Sequence, residues 1–420
     1  MLRALCRNDL PQLASLHQSV WGLETQSACE LRDSYERLFP ALFMDHPWTD
    51  DEITSLVVEE DSRPVGLLGV MPRTMSFHGQ PVRVAISSQL CVDSQNRSKL
   101  AGVQLLKRLF SGPQDLTIAD MSNAMAARVW TGVGGWVVPL LSLQWLRVLR
   151  PCQMVLSLLR RQSVLRRIGV IGRPVAGTID VLIRKLPRGP FQIERSPHRS
   201  VPLTFELFHQ KLPEFTRHAA LRPEYDEASA RWVWERAAFV FLGGELHRVA
   251  VVDHDNRCLG WFLYHLSPDG TARVIQLVAL PQTINAVLTH LFEHADQRGA
   301  ITVTGRASAD FLAAFSDKQC LFHRRGKLFL AQTRNPELRA AIDRGDLFFS
   351  LLEGEGCLNL GGDPVCQLQA MSAMMSASHS PEKQFASLPV SAFSGDHSHE
   401  IHGSGGIVDF QSDRNAVASR

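Results

Sequence analysis

Along this chain the spacing of apolar and polar residues switches between a period of two and a helical period, and the switches mark the elements. The clearest run is Val84 to Phe110. Val84, Ala85, Ile86, Leu90 and Val92 are apolar with small or polar residues between them, which predicts a strand. Leu105, Leu106, Leu109 and Phe110 then line one side of a helix, with Lys107 and Arg108 on the other. Upstream, residues 3–20 predict a short strand and a helix with Leu10, Leu13, Leu16 and Val20 as its stripe, capped by Asn8 or Asp9 with Pro11 in its first turn. Thr54 to Val70 predicts a hairpin turning at Asp61-Ser62-Arg63, and Met71 to Phe77 a further partner turning at His78-Gly79-Gln80 into the Val84 strand. Downstream, Leu116 to Asp120 predicts a buried strand. Ser122 to Trp130 predicts a capped helix, ended by Gly132, Gly134 and Gly135.

The pattern recurs. Val57-Val58-x-x-Asp61-x-Arg63-x-x-Gly66 returns as Val251-Val252-x-x-Asp255-x-Arg257-x-x-Gly260, which predicts two hairpins with the same turn. A strand at Ala272 to Ala279 and a helix at Thr283 to Ala295 follow, so the element order repeats as well, and duplication accounts for both. The strand Ala300 to Thr304 and the segment Leu321 to Gln332 are expected to finish the second sheet, and Asn335 to Cys357 to supply a capping helix and a last strand. Four regions follow: residues 1–150, a basic and proline-rich segment 151–202, a second unit 203–366, and a tail 367–420 of Ser, His and Gly expected to be disordered.

Composition narrows the class. The chain has 420 residues, 45% hydrophobic, with a formal net charge of +2, which gives no sign of a nucleic-acid partner. The 8 cysteines lack metal-ligand spacing and read as reduced thiols, which with the absence of an apolar leader points to the cytoplasm. The uncharged stretch Val129 to Leu146 is broken by glycines and a proline and reads as buried strand and loop, so no transmembrane segment is expected. Residues 147–173 alternate arginines with leucines and valines, which fits an interdomain helix or weak contact with a membrane surface.

The candidate chemistry sits in the turn Asp93-Ser94-Gln95-Asn96-Arg97-Ser98-Lys99-Leu100-Ala101-Gly102. It is basic and delivers the chain into a helix N-terminus, where unpaired N–H groups and the positive dipole end favour an anion such as phosphate. Strand, Val92-Asp93-Ser94, Arg97-x-x-Leu100-x-Gly102 and amphipathic helix together resemble the acyl-CoA motif of the GNAT N-acetyltransferases, Gln/Arg-x-x-Gly-x-Gly/Ala. Arg97 and Gly102 match, while Leu100 stands at the first glycine. Asn123 and the alanines after it match a later family stretch, in which Trp130 stands where a tyrosine acts as general acid; an indole cannot take that role. Ser87, Ser88 and Gln89 stand where many members carry a glutamate base.

The resemblance implies an α+β fold of two GNAT-like domains, each a mostly antiparallel mixed sheet flanked by helices, in tandem. The second is degenerate, since Gln282 to Val287 lacks the glycines and cations of the turn. It implies acetyl-CoA or another acyl-CoA as cosubstrate, held by Leu90, Cys91, Val92, Arg97, Ser98, Lys99, Leu100, Ala101, Gly102 and Asn123, with no metal. An amine acceptor, a small molecule or a sugar, would attack the thioester directly, with Glu59, Glu60, His46 or a water as base. The other readings are a non-catalytic binding or assembly protein on the same fold and a peptidyl or polysaccharide-modifying transferase using the groove between the halves.

Overall fold

The structure is a computed structural model that describes residues 1–21, 36, 39–48, 50–93, 100–160, 173–184, 189–240, 244–324 and 327–358. It is a mixed α+β fold built on two mixed sheets. The first contains β1 (Leu2–Ala4), β2 (Leu56–Glu60), β3 (Arg63–Phe77), β4 (Gln80–Val92), β5 (Leu116–Ser122), β15 (Leu328–Thr333) and β6 (Trp136–Val137), hydrogen-bonded in that order, with β9 (Leu221–Pro223) on the far end of β3. The second runs β14 (Leu321–His323), β7 (Gln144–Val148), β13 (Thr302–Arg306), β12 (Thr271–Ala279), β11 (Cys258–Leu266), β10 (Glu245–Val252) and β8 (Arg199–Pro202).

Local chemistry accounts for the first hairpins. Asp61 and Ser62 have φ of 48° and 61°, and His78 and Gly79 have φ of 50° and 83°. Two consecutive left-handed residues make the tight turn that matches strand twist, and Asp, His and Gly tolerate it. β3 is a single 15-residue strand through both hairpins, so Met71 to Phe77 continues it instead of starting a new strand. In the second copy the turn differs from expectation. Asp253 to Arg257 form a longer loop in which the Asp253 carboxylate accepts the N–H groups of Asp255 and Arg257, and Asn256 takes the left-handed position. The register differs too: Val58 faces Gly66, but Val251 faces Gly260.

Helices cover the outer faces. α1 (Leu10–Trp21) follows a 3-10 turn in which the Asp9 carboxylate accepts the Cys6 N–H and pairs with Arg3. α2 (Ala101–Phe110) and α3 (Ala124–Gly132) lie against one face of the first sheet, where Leu68, Val70, Ala85, Leu105 and Trp130 pack together. α8 (Ile284–Gln297) covers the second sheet through Val287, Leu288 and Leu291. The remaining core is shared: Met71, Val84 and Ile86 of the first sheet, Trp261, Leu263 and Ile275 of the second, and Phe208 and Val233 of α6 (Phe205–Thr216) and α7 (Glu227–Arg236) form one cluster.

The two sheets exchange strands. β7 follows the first sheet's elements in sequence yet lies in the second, antiparallel to β13. β15 follows the second sheet's elements yet lies in the first, antiparallel to β5. The expectation that Leu321 to Gln332 finishes the second sheet is therefore half corrected: β14 joins β7 there, and β15 crosses over. The expected last strand is replaced by an irregular segment. After α9 (Pro336–Arg344) the described residues form an isolated bridge between Leu221 and Leu347 and a 3-10 turn at Glu355–Leu358, since Gly354 and Gly356 make a poor strand.

The basic run separates into parts. Arg147 lies buried in β7 and donates to the carbonyls of Pro190, Gln192 and Gln319, and Arg150 pairs with Asp296. α4 (Pro151–Arg160) is capped by Asp180 of α5 (Arg173–Arg184), whose carboxylate accepts the N–H groups of Cys152 and Gln153. Residues 161–172 lie outside the described residues, as does the tail expected from residue 367. No described helix is long and apolar enough to cross a membrane.

Candidate active site

The site begins where two parallel strands part. β4 and β5 pair in parallel over three rungs, ending at Ile86 opposite Ile118. Beyond that rung β4 stays on β3 through a bulge. Leu67 faces Cys91 and Gly69 faces Ser88, which leaves Gln89 and Leu90 together opposite Leu68, with Gln89 at φ 54°. A bulge bends its strand and re-aims the groups beside it, and here it lies at the mouth of the opening.

β4 leads into the basic turn. Asp93 N–H bonds to the Val65 carbonyl, and Arg97, Ser98 and Lys99 lie outside the described residues. Leu100 has φ 61° and is 60% exposed, so the residue at the family's first glycine adopts the conformation a glycine would. Ala101 is buried, and among the described residues a Cβ on Gly102 would meet only the Val92 side chain, at 3.6 Å. The first i to i−4 bond of α2 is Gln104 N–H to the Leu100 carbonyl, so the N–H groups of Ala101, Gly102 and Val103 precede the helix's own ladder. The matching corner of the second sheet is shorter. There Thr283 and Ile284 turn their N–H groups onto the Leu280 carbonyl, and the Thr283 hydroxyl donates to Leu259.

The opening between β4 and β5 is bridged by a segment the sequence did not single out. One Glu355 carboxylate oxygen accepts the Met121 N–H at 3.0 Å, and the Ser88 side chain on β4 favours its ionised form. Its carboxylate is thus held on β5 and lies beside β4, where the two strands no longer join each other. The Glu355 N–H donates to Asp120 at 2.6 Å, and the other Asp120 oxygen pairs with Arg306 at 2.7 Å. Gly354 makes this fit possible: a Cβ there would lie 2.3 Å from an Asp120 carboxylate oxygen. Burial, with Asp120 repulsion second, pushes the Glu355 carboxyl up to about 8, against the pull of its hydrogen bonds. Lys327, near both carboxylates, is pushed down by burial.

The other candidates lie apart from this cluster. Glu59 pairs with Arg3 at 2.6 Å at the far end of β2, next to Glu60, which is half-buried. His46 is buried against Trp48, and burial lowers it to about 4. It belongs to a second buried group in which Arg73 stacks over Trp48 at 3.6 Å and Glu353 accepts the Tyr225 hydroxyl at 3.0 Å. Asn123 caps α3 by accepting the Ala126 N–H. Trp130 is buried edge-on to Phe110. Cys91 is buried on β4, and Leu90 and Val92 are half-buried beside it. The missed residues are Asp120, Arg306 and Glu355. The one sequence signal was Glu353-Gly354-Glu355-Gly356, two carboxylates spaced by glycines after an apolar run.

No family model and no curated protein sequence matches the chain. Solved structures do. A GCN5-related N-acetyltransferase from Anabaena variabilis ATCC 29413 is similar at 13% identity, over 80% of this chain and 73% of that one, with a TM-score of 0.52. A conserved protein of unknown function from Enterococcus faecalis V583, described as a probable N-acyltransferase, matches at 10% identity over 79% and 72%, with a TM-score of 0.48. A GCN5-related N-acetyltransferase from Kribbella flavida matches at 14% identity over 79% and 71%, with a TM-score of 0.44. The first of these establishes a shared fold.

Proposed function

We propose that this chain, which has the fold of the GCN5-related N-acetyltransferases, is an acyltransferase that moves an acyl group from acetyl-CoA or another acyl-CoA to an amine. The observation that carries this reading is a buried carboxyl of raised pKa, Glu355, at the point where bulged β4 parts from β5. On this reading the pyrophosphate lies on the N–H groups of Ala101 and Gly102, with Arg97 and Lys99 adding charge. The thioester arm runs along Leu90 to Val92 in place of a ladder partner. An amine nitrogen attacks the thioester carbonyl, the carbon–sulfur bond breaks, and the CoA thiolate leaves. A backbone N–H at the bulge stabilises the oxyanion, and Glu355 takes the proton the amine loses. A base near pKa 8 suits this step, because it is partly ionised at neutral pH and still basic enough to accept a proton. Glu355 is preferred to Glu59, Glu60 and His46 as the base, since Glu59 pairs with Arg3 and His46 is buried against Trp48. No metal is required.

The test is release of CoA thiol from acetyl-CoA by the full chain, with and without a panel of amino sugars, amino acids and polyamines. Amine-dependent release that falls at least 100-fold in Glu355→Gln supports the reading. Release that Glu355→Gln leaves unchanged removes Glu355 from the role. One observation favours a non-catalytic protein instead: Gly354 and Glu355 bridge the opening in which a thioester would lie. Acetyl-CoA binding without turnover for any amine supports that second reading.

A further inference from the structure

α5 is inverted for a surface helix. Val175, Ile179 and Leu182 recur at i, i+4 and i+7, an apolar stripe of helical period. Val175 and Leu182 are 61% and 60% exposed, and Ile179 and Val181 are 42% and 44% exposed. The side turned to α4 holds small or polar residues instead. Ala176 and Asp180 are buried, and a Cβ at Gly177 would meet the Gln153 side chain at 3.6 Å. Asp180 accepts the N–H groups of Cys152 and Gln153, so the stripe cannot turn inward without uncapping α4. On α4, Val155 is exposed as well. Single apolar residues on a surface are ordinary, but a stripe of them along one helix marks a contact face.

The charge around the stripe identifies what it contacts. In residues 151–184 the cations are Arg160, Arg161, Arg166, Arg167, Arg173 and Arg184, and the single acid is Asp180. Asp180 is buried in the cap of α4, so neither helix turns an acid outward to offset them. The whole chain carries a net charge of only +2, so the excess is local. Arg173 begins α5, Arg184 ends it, and Arg160 ends α4. Cations at the ends of a helix with an apolar side suit a surface that is anionic over an apolar interior. A second copy of the chain suits this face poorly, because a two-fold contact would bring two such basic surfaces together. The face lies past the run 147–173 in which the sequence pattern placed a membrane contact, because Arg147 and Arg150 are held inside the fold by backbone carbonyls and Asp296.

We propose that α5 docks on an anionic lipid surface, lying along the headgroups with Val175, Ile179 and Leu182 turned into the bilayer. The proposal does not depend on acyl transfer.

The test is co-sedimentation of the full chain with vesicles of phosphatidylcholine alone and of phosphatidylcholine with about one third phosphatidylglycerol. Ile179→Asp combined with Leu182→Asp breaks the stripe at exposed positions, and its Tm should match the parent's. If Tm falls, Leu182→Ser, at 60% exposure, takes its place. The expected result is binding to the anionic vesicles at least 10-fold tighter than to the neutral ones, weakened by added salt and lost at least 10-fold in the variant. Equal binding to both vesicles, anionic binding unchanged in a folded variant, or no binding at millimolar lipid overturns the proposal. Sedimentation velocity without lipid adds a further check: a dimer of the parent that the variant dissolves would assign the face to a second copy and overturn it too.

Discussion

Asp120 and Arg306 stand at equivalent places in two different sheets, and they pair with each other. Each lies two residues beyond the last parallel rung of its own strand pair, Ile118 in one case and Thr304 in the other. Their side chains meet at 2.7 Å, with exposures of 0% and 8%. The same C-terminal segment touches both openings, with Leu351 on Ile275 and Glu355 on Met121. The paired openings are thus tied by one ion pair and one strap of chain.

Breaking this pair should cost more than replacing it. Asp120→Asn leaves a buried guanidinium short of a counter-charge, and Arg306→Met leaves a buried carboxylate; each should lose about 3–5 kcal/mol. The double variant should lose less than the sum, since no uncompensated charge remains. Urea unfolding of the four proteins measures the coupling, and strict additivity contradicts the account.

Glu355 makes stability depend on pH in a stated direction. Its folded carboxyl is raised from 4.5 to about 8, so between those values the folded state binds more protons than the unfolded one. Stability from this group therefore falls as pH rises through that window. Glu355→Gln should have a higher Tm than the parent at pH 8.5 and a difference near zero at pH 5. An equal offset at both pH values would show that the carboxyl does not titrate there.

Buried histidines act on the acid side. Burial lowers His17, His46 and His294 from 6.5 to about 4. Here the unfolded state binds the extra protons, so stability is lost as pH falls from 6.5 towards 4. His17→Leu, at a site edge-on to Phe39, should flatten the fall of stability with pH over that range. A slope identical to the parent's would mean that His17 is protonated in the folded state.

Leu100 tests the turn. A left-handed non-glycine residue carries about 1–2 kcal/mol of strain, and at 60% exposure little burial is lost on truncation. Leu100→Gly also loosens the unfolded chain, so the net change should lie between about 0 and +1 kcal/mol. A loss above about 1 kcal/mol in denaturant unfolding would show that the leucine side chain packs in the turn.

Much of this was legible in the sequence wherever information is local. The switch of period between Val92 and Leu105 located β4 and α2, and Asp61-Ser62 and His78-Gly79 located two tight turns. The strand exchange was not legible: Leu321 to Gln332 is assigned to the second sheet by its place in the chain, and Gln144 to Val148 straddles an uncharged stretch and a basic run, because a strand's pattern does not carry the identity of its partner. Glu355 was hidden for the same reason: its hydrogen-bond partner Met121 lies 234 residues away, and its raised pKa comes from burial that only the fold creates. Asp120 read as the end of a short buried strand, and Arg306 lay past the expected strand Ala300 to Thr304, so nothing in the sequence paired them.

Titration of acetyl-CoA into the full chain, with Gly102→Trp alongside, tests the central claim most directly. Among the described residues a Cβ at Gly102 meets only Val92, at 3.6 Å, so the variant should fold while its indole crowds the N–H groups of α2. The account predicts saturable binding by the parent and at least 10-fold weaker binding by the variant. Absence of binding by the parent at millimolar acetyl-CoA, or equal binding by both proteins, would contradict it.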